Sequence, residues 1–134
     1  MTRYKASGHF ENGAMERQTI ENWPDGLEMV HLWFPTRYTG DIDGHGTIHV
    51  LYARRQDGVE TLCAIERVEG TLGGRRGTFV DQQEATPDGS KWSGPWRLIE
   101  GMGTGDLTGL RGGGRMEIPY STPVGSWTLE YWFE

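Results

Sequence analysis

Apolar and polar residues alternate with a period of two along much of this chain, the pattern of β-strands that bury one face. In the C-terminal "WTLEYWFE", Trp127, Leu129, Tyr131 and Phe133 share one face, against Thr128, Glu130 and Glu134. Ile48, Val50 and Tyr52 align in "TIHVLYAR", and Leu62, Ala64, Glu66 and Val68 align in "VETLCAIERVE". In "KWSGPWRLIEG", Trp92, Trp96, Leu98 and Glu100 oppose Ser93, Arg97 and Ile99, and Pro95 predicts a bulge, because proline has no N–H for a central ladder. The segment "LEMVHLWFPTRY" is apolar on both faces, with Met29, His31 and Trp33 on one and Val30, Leu32 and Phe34 on the other. One face lines the interior. The other calls for cover by a second subunit or by the N-terminal segment, which makes a homo-oligomer an expectation.

The connections between these segments are of two kinds. Gly40 to Gly46 ("GDIDGHG"), Gly70 to Gly77 ("GTLGGRRG") and Gly105 to Gly112 ("GDLTGLRG") repeat one pattern, in which two glycines flank Ile42, Leu72 or Leu107 and a third follows. The glycine-dense "GTGDLTGLRGGG" that contains the third copy is no phosphate cradle. Counted from Gly103, Thr108 stands where the dinucleotide fingerprint needs glycine, and the proline-bearing "RMEIPYSTPVG" that follows offers no helix N-terminus. The other connections are short: Pro24 to Gly26, Gln56 to Gly58, Pro87 to Ser90 and Thr122 to Ser126. Asp-Gly in three of them is a tight-hairpin signal.

Long and short connections alternate from Pro24 onward, so in an antiparallel meander the glycine loops fall at one end and the tight turns at the other. The implied strands cover residues 27–39, 47–55, 59–69, 78–86, 90–104, 113–120 and 126–134. A strand over residues 3–11, closed by Asn12-Gly13, and a further one reaching Trp23 bring the count to eight or nine. A meander of that length closes, because closure removes its exposed edges. The prediction is a single all-β domain over residues 1–134, an up-and-down antiparallel closed β-barrel of eight or nine strands, with Ile42, Leu72 and Leu107 plugging one mouth.

Composition narrows the functional classes. Thirteen basic against nineteen acidic residues give a net charge of −6, which disfavours nucleic acid and anionic membrane surfaces as partners. No apolar run approaches the ~18 residues of a membrane helix, and "MTRYKASGHF" carries no signal-peptide core, so a cytoplasmic location is expected. The single cysteine, Cys63, excludes an intramolecular disulfide, and together with four scattered histidines it makes no zinc spacing. The 21 glycines and six tryptophans suit a turn-rich barrel with a large aromatic interior.

The run "YTGDIDGHGTIHVLYARRQDGVETLCAIERVEGTLGGRRGTFVDQQEA", continued by "GTGDLTGLRGGG", resembles a family of small bacterial proteins of unknown function. Its members share the Gly-Asp-Leu/Ile-x-Gly-x-Gly turn, the "ERVEGTLGGRRGTF" hairpin and the "GTGDLTGLRG" turn. The resemblance spans residues 38–114 and implies a barrel like that of plant allene oxide cyclase, similar also to dirigent proteins and to some cyclases of bacterial natural-product pathways. It carries no catalytic motif.

Ionisable residues on inward faces are where chemistry can sit, because a buried carboxyl or imidazole is costly unless paired. Glu66 and Glu100 qualify and are placed at similar heights two strands apart; His31 joins them where its face is the inner one. The catalytic expectation is Glu66 as general acid or base, with Tyr52 or His31 orienting the substrate. The alternative is a Glu66 paired with an arginine across the barrel, fixing register alone. Trp33, Gln82, Trp92, Trp96, Leu98, Glu100, Trp127 and Tyr131 are the expected ligand-contacting set. Two functions follow: a cofactor-independent cyclase or isomerase acting on an extended apolar molecule, or a non-catalytic carrier or structural barrel with a filled core.

Overall fold

The computed structural model describes all residues from Met1 to Glu134, in nine strands and no α-helix. The strands are β1 (Tyr4–Asn12), β2 (Glu16–Asn22), β3 (Glu28–Gly40), β4 (Ile42–Arg54), β5 (Glu60–Leu72), β6 (Arg75–Asp88), β7 (Lys91–Leu98), β8 (Leu110–Pro119) and β9 (Val124–Phe133). From β2 to β9 each strand pairs antiparallel with the next; β9 then pairs with β1, and β1 with β3, which closes an eight-stranded barrel. The ninth strand, β2, stands outside that ring.

The closing strand β1 reaches only half of β3. It pairs with Thr36 to Gly40, and β2 takes over along Glu28 to Trp33, with residues 13–15 looping out between them. The barrel wall is therefore split beside β2, whose residues are all exposed. That edge is polar, Glu16-Arg17-Gln18-Thr19-Ile20-Glu21-Asn22, and carries a register shift between Thr19 and Glu21, two devices that discourage a further strand from adding to it.

The two ends of the barrel differ as the turn pattern predicts. At one end Ile42, Leu72 and Leu107 are buried and close the mouth, joined by Val68, Phe79, Trp96 and Trp127. Burying one such leucine contributes about 1.5–3 kcal/mol. At the other end lie the tight turns, and the inward residues Leu32, Phe34, Ile48, Val50, Tyr52 and Leu62 surround open space.

Two expectations about the wall are corrected. Most residues assigned to the first two glycine loops belong to strands: β4 begins at Ile42, and β5 and β6 run on to Leu72 and from Arg75. The β5–β6 connection is only Gly73-Gly74, with φ of 57° and 85°, a conformation that suits a right-twisted hairpin and that side chains resist. Pro95 produces no bulge. Pairing between β6 and β7 lapses opposite Pro95 and resumes at Thr86–Ser93 in the register of Gln83–Trp96, so the missing N–H is absorbed as a gap in the ladder.

Candidate functional site

The register of the central strands assembles the site. Glu66 on β5 is the partner of Asp81 on β6 and of Ile48 on β4, and Thr36 on β3 is the partner of Gly46 on β4. Alternation turns Thr36, Tyr38, Gly46, Glu66, Asp81 and Gln83 into the interior at mid-height, between the packed half and the open half. Glu66 and Asp81 are fully buried, and no basic side chain is buried with them. The cross-barrel arginine that sequence offered as a partner for Glu66 does not exist. Its place is taken by hydrogen bonds.

Thr36 Oγ1 donates to Glu66 Oε2 at 2.5 Å, and Tyr38 OH donates to Glu66 Oε1 at 2.5 Å. Gln83 Nε2 donates to Glu66 Oε1 at 3.3 Å and to Asp81 Oδ1 at 2.9 Å. The remaining oxygen, Asp81 Oδ2, is the one buried side-chain polar atom with no conventional partner. Burial, then the charge of Glu66, then a hydrogen bond with Glu66 all push the Asp81 carboxyl well above its usual range, which favours its protonated form. Burial also raises Glu66, while bonds with Asp81, Thr36 and Tyr38 oppose the rise, so the two carboxyls titrate as one coupled pair. Burial beside these groups raises the Tyr38 phenol well above its ordinary value, so it stays neutral and donates.

Gly46 makes the arrangement possible. A Cβ there would stand 2.5 Å from Glu66 Oε2 and closer still to Thr36 Oγ1, in space the carboxylate needs. The last glycine of the first repeat thus has a role in the site besides architecture.

Beside this layer an apolar cavity of about 480 Å³ opens at the tight-turn end. Leu32, Phe34, Ile48, Val50, Leu62 and Trp92 form much of its wall, and its polar inner surface is Thr36, Tyr38 and Gln83. Glu66 and Asp81 stand behind those three and do not line it. Glu60 and Glu117 lie among the lining residues, and no lysine, arginine or histidine does.

The expected site residues divide accordingly. Glu66 is at the centre, and Trp92 lines the cavity, edge-on to Tyr52 at 6.0 Å and to Tyr120 at 6.2 Å. Tyr52 also lines it, but nearer the opening, where its hydroxyl donates to Glu60 and not to the central carboxyls; burial, then that bond, push its phenol up to about 12. His31 and Trp33 are on the outer face, since Val30, Phe34, Thr36 and Tyr38 take the inner one. The His31 ring packs on Trp33 at 4.5 Å, and His31 Nε2 lies 3.0 Å from His49 Nδ1. Gln82 also points outward and accepts from Arg97 at 2.5 Å. Glu100 falls past the end of β7, in an exposed turn, and pairs with Arg111 at 2.9 Å. Strand β7 stops at Leu98, so Glu100 lies past its end and not level with Glu66.

Trp96, Leu98, Trp127 and Tyr131 point inward but belong to the packed half. Trp96 Nε1 bonds Thr128 O at 2.9 Å and Trp127 Nε1 bonds His9 O at 3.2 Å, so both rings are fixed as core. Sequence reasoning missed Thr36, Tyr38, Asp81 and Gln83. A signal existed in "TFVDQQEA", where Phe79, Asp81 and Gln83 share parity with one another and not with Gln82.

Fold and site define a closed β-barrel with an apolar cavity, behind whose inner end stands a buried acid pair. Residues 6–131 match the model of the family described as protein of unknown function (DUF3224), and the chain belongs to that family. A crystal structure of a DUF3224 protein of unknown function from Shewanella oneidensis MR-1 superposes with a TM-score of 0.80 at 22% identity, covering 99% of each chain. No curated protein matches the chain. No helix is long and apolar enough to cross a membrane.

Proposed function

We propose that the barrel takes up a predominantly apolar small molecule through its open end and that the Glu66–Asp81 pair moves a proton for it, as a cofactor-independent isomerase or cyclase. The observation that carries this reading is the 480 Å³ apolar cavity ending on Thr36, Tyr38 and Gln83, each bonded to the buried Glu66 carboxyl, which has no counter-cation. The volume is in the range of small-molecule sites, roughly 300–1,000 Å³. Glu66 is the base. A ligand hydroxyl seated on Thr36 or Tyr38 passes its proton to that oxygen as the side chain's own proton moves to Glu66, over bonds already 2.5 Å long. Isomerisation and cyclisation conserve every atom, so the proton returns to the same molecule. The allene oxide cyclase-like pattern of the sequence supports this class by analogy of fold alone.

A second reading, a carrier, is favoured by one observation: neither carboxyl itself lines the cavity. Native mass spectrometry of protein purified from its own producer, with extraction of any bound molecule, tests the shared claim. A stoichiometric apolar molecule supports it, and turnover of that molecule abolished in Glu66→Gln supports the enzyme. Retention of the molecule without turnover selects the carrier. A protein that is empty and takes up no neutral apolar dye overturns both.

A further inference from the structure

Two of the four histidines, eighteen residues apart, meet on the outer wall of the barrel. The β3–β4 register sets His31 opposite Leu51 and His49 opposite Trp33, so the two imidazoles share a face and a diagonal. His31 Nε2 stands 3.0 Å from His49 Nδ1, with ring centroids 5.2 Å apart and planes inclined by 22°. The rings thus meet nearly end to end, one hydrogen between two nitrogens. The Trp33 ring packs on His31 at 4.5 Å and steadies it. His31 is half-buried and His49 exposed, and neither imidazole bonds a carboxylate.

The spacing is that of two ligands on one ion. With metal–nitrogen bonds of about 2.0–2.1 Å, two imidazole nitrogens in neighbouring coordination positions stand roughly 2.9–3.4 Å apart. The pair already lies in that span, and the rings need only turn their lone pairs toward a common point on the solvent side. The ring that donates in the free protein moves its hydrogen to its other nitrogen, so both facing nitrogens bind as neutral imidazoles.

We propose that His31 and His49 chelate a late divalent transition-metal ion such as Ni²⁺ or Cu²⁺ on the outer wall, independently of the cavity. Imidazole suits these ions, whereas Mg²⁺ and Ca²⁺ ask for oxygen ligands. No group of three or more His, Cys, Asp or Glu side chains converges in the chain, so the ion keeps its other positions for water or an external ligand. Of the side chains around the pair, β2 brings Gln18 opposite His31 and Glu16 opposite Trp33. On β5, Cys63 and Arg67 are both diagonal to His49, and Arg67 pairs with Glu69 at 3.7 Å. The one nearby base is offset by that pairing, and a chain of net charge −6 favours a cation.

The test is titration of the full-length protein, free of any affinity tag, with Ni²⁺ and with Mg²⁺, read by tryptophan fluorescence. A paramagnetic ion on His31 lies against Trp33, so saturable quenching is expected with Ni²⁺ and none with Mg²⁺. His31→Gln and His49→Gln are each expected to weaken Ni²⁺ binding at least about tenfold, because the second imidazole binds intramolecularly. His9→Gln, His45→Gln and Cys63→Ser are expected to leave it unchanged. Electron paramagnetic resonance of Cu²⁺ on the Cys63→Ser protein, where no thiol can be oxidised, is expected to show two imidazole nitrogens on the ion. Absence of Ni²⁺ binding, binding that survives either histidine substitution or is lost with Cys63→Ser, or a Cu²⁺ spectrum with a single nitrogen overturns the site.

Discussion

Gly46 and Glu66 occupy one space: the carboxylate Oε2 sits 2.5 Å from where a Cβ on residue 46 would project. Thr36 Oγ1 is pressed against the same point, so neither partner can retreat without breaking the bond between them. Gly46→Ala is expected to lower the unfolding free energy by about 1–3 kcal/mol, the ordinary penalty for overfilling a packed interior. Urea denaturation of the two proteins checks this. An unchanged midpoint would mean that Glu66 has room to move, and that the glycine serves only the close approach of strands.

The acid pair makes stability depend on pH with a definite sign. An acid whose folded pKa is raised binds its proton more tightly in the folded than in the unfolded chain. Its contribution is complete below the unfolded value and is lost as pH rises through the folded one. For Asp81 the window opens at the ordinary value of 3.8 and extends upward, because burial and Glu66 raise the group well above it. Asp81→Asn keeps a donor toward Glu66 and cannot ionise. Its stability relative to the unsubstituted protein is therefore expected to climb as pH rises across that window, measured by denaturant midpoints at matched ionic strength. Parallel pH curves would place the Asp81 proton elsewhere.

Tyr38 and Glu66 are energetically coupled if the phenol serves the carboxylate. Tyr38→Phe alone leaves an ionised acceptor short of a donor in a dry interior, and about 1.5–3 kcal/mol of stability is expected to be lost, as for hydrogen bonds to charged groups. In a Glu66→Gln background the same change is expected to cost markedly less, because the acceptor is neutral. A double-mutant cycle reads the difference directly. Additive losses would show that Tyr38 is a core residue whose hydroxyl merely rests near Glu66.

Much of the barrel was legible because local chemistry states it. Asp-Gly turns, the repeated glycine pattern and period-two alternation suffice for eight or nine strands, for the two kinds of end and for the plug of Ile42, Leu72 and Leu107. The site was legible only at Glu66, whose strand has one apolar face with a single charge in it. On β3 both faces are apolar, so parity could not choose between His31 and Thr36–Tyr38; closure by β1, a contact nearly thirty residues distant in sequence, made the choice. On β6 the adjacent glutamines Gln82 and Gln83 look alike, and only the facing of Asp81 and Glu66 separates them. Glu100 is different: strand β7 ends at Leu98 and the chain turns at Glu100-Gly101, where Gly101 takes a φ of 84°, and periodicity does not announce where a strand stops.

The most direct test of the central claim is a carbon-detected magnetic resonance titration of the Glu66 and Asp81 side-chain carboxyls, free and with a neutral apolar dye bound. One carboxyl is expected to keep its proton far above the ordinary values of 3.8 and 4.5, and filling the cavity is expected to shift that titration. Two carboxyls titrating independently near those ordinary values, indifferent to the probe, would contradict both the shared proton and its link to the cavity.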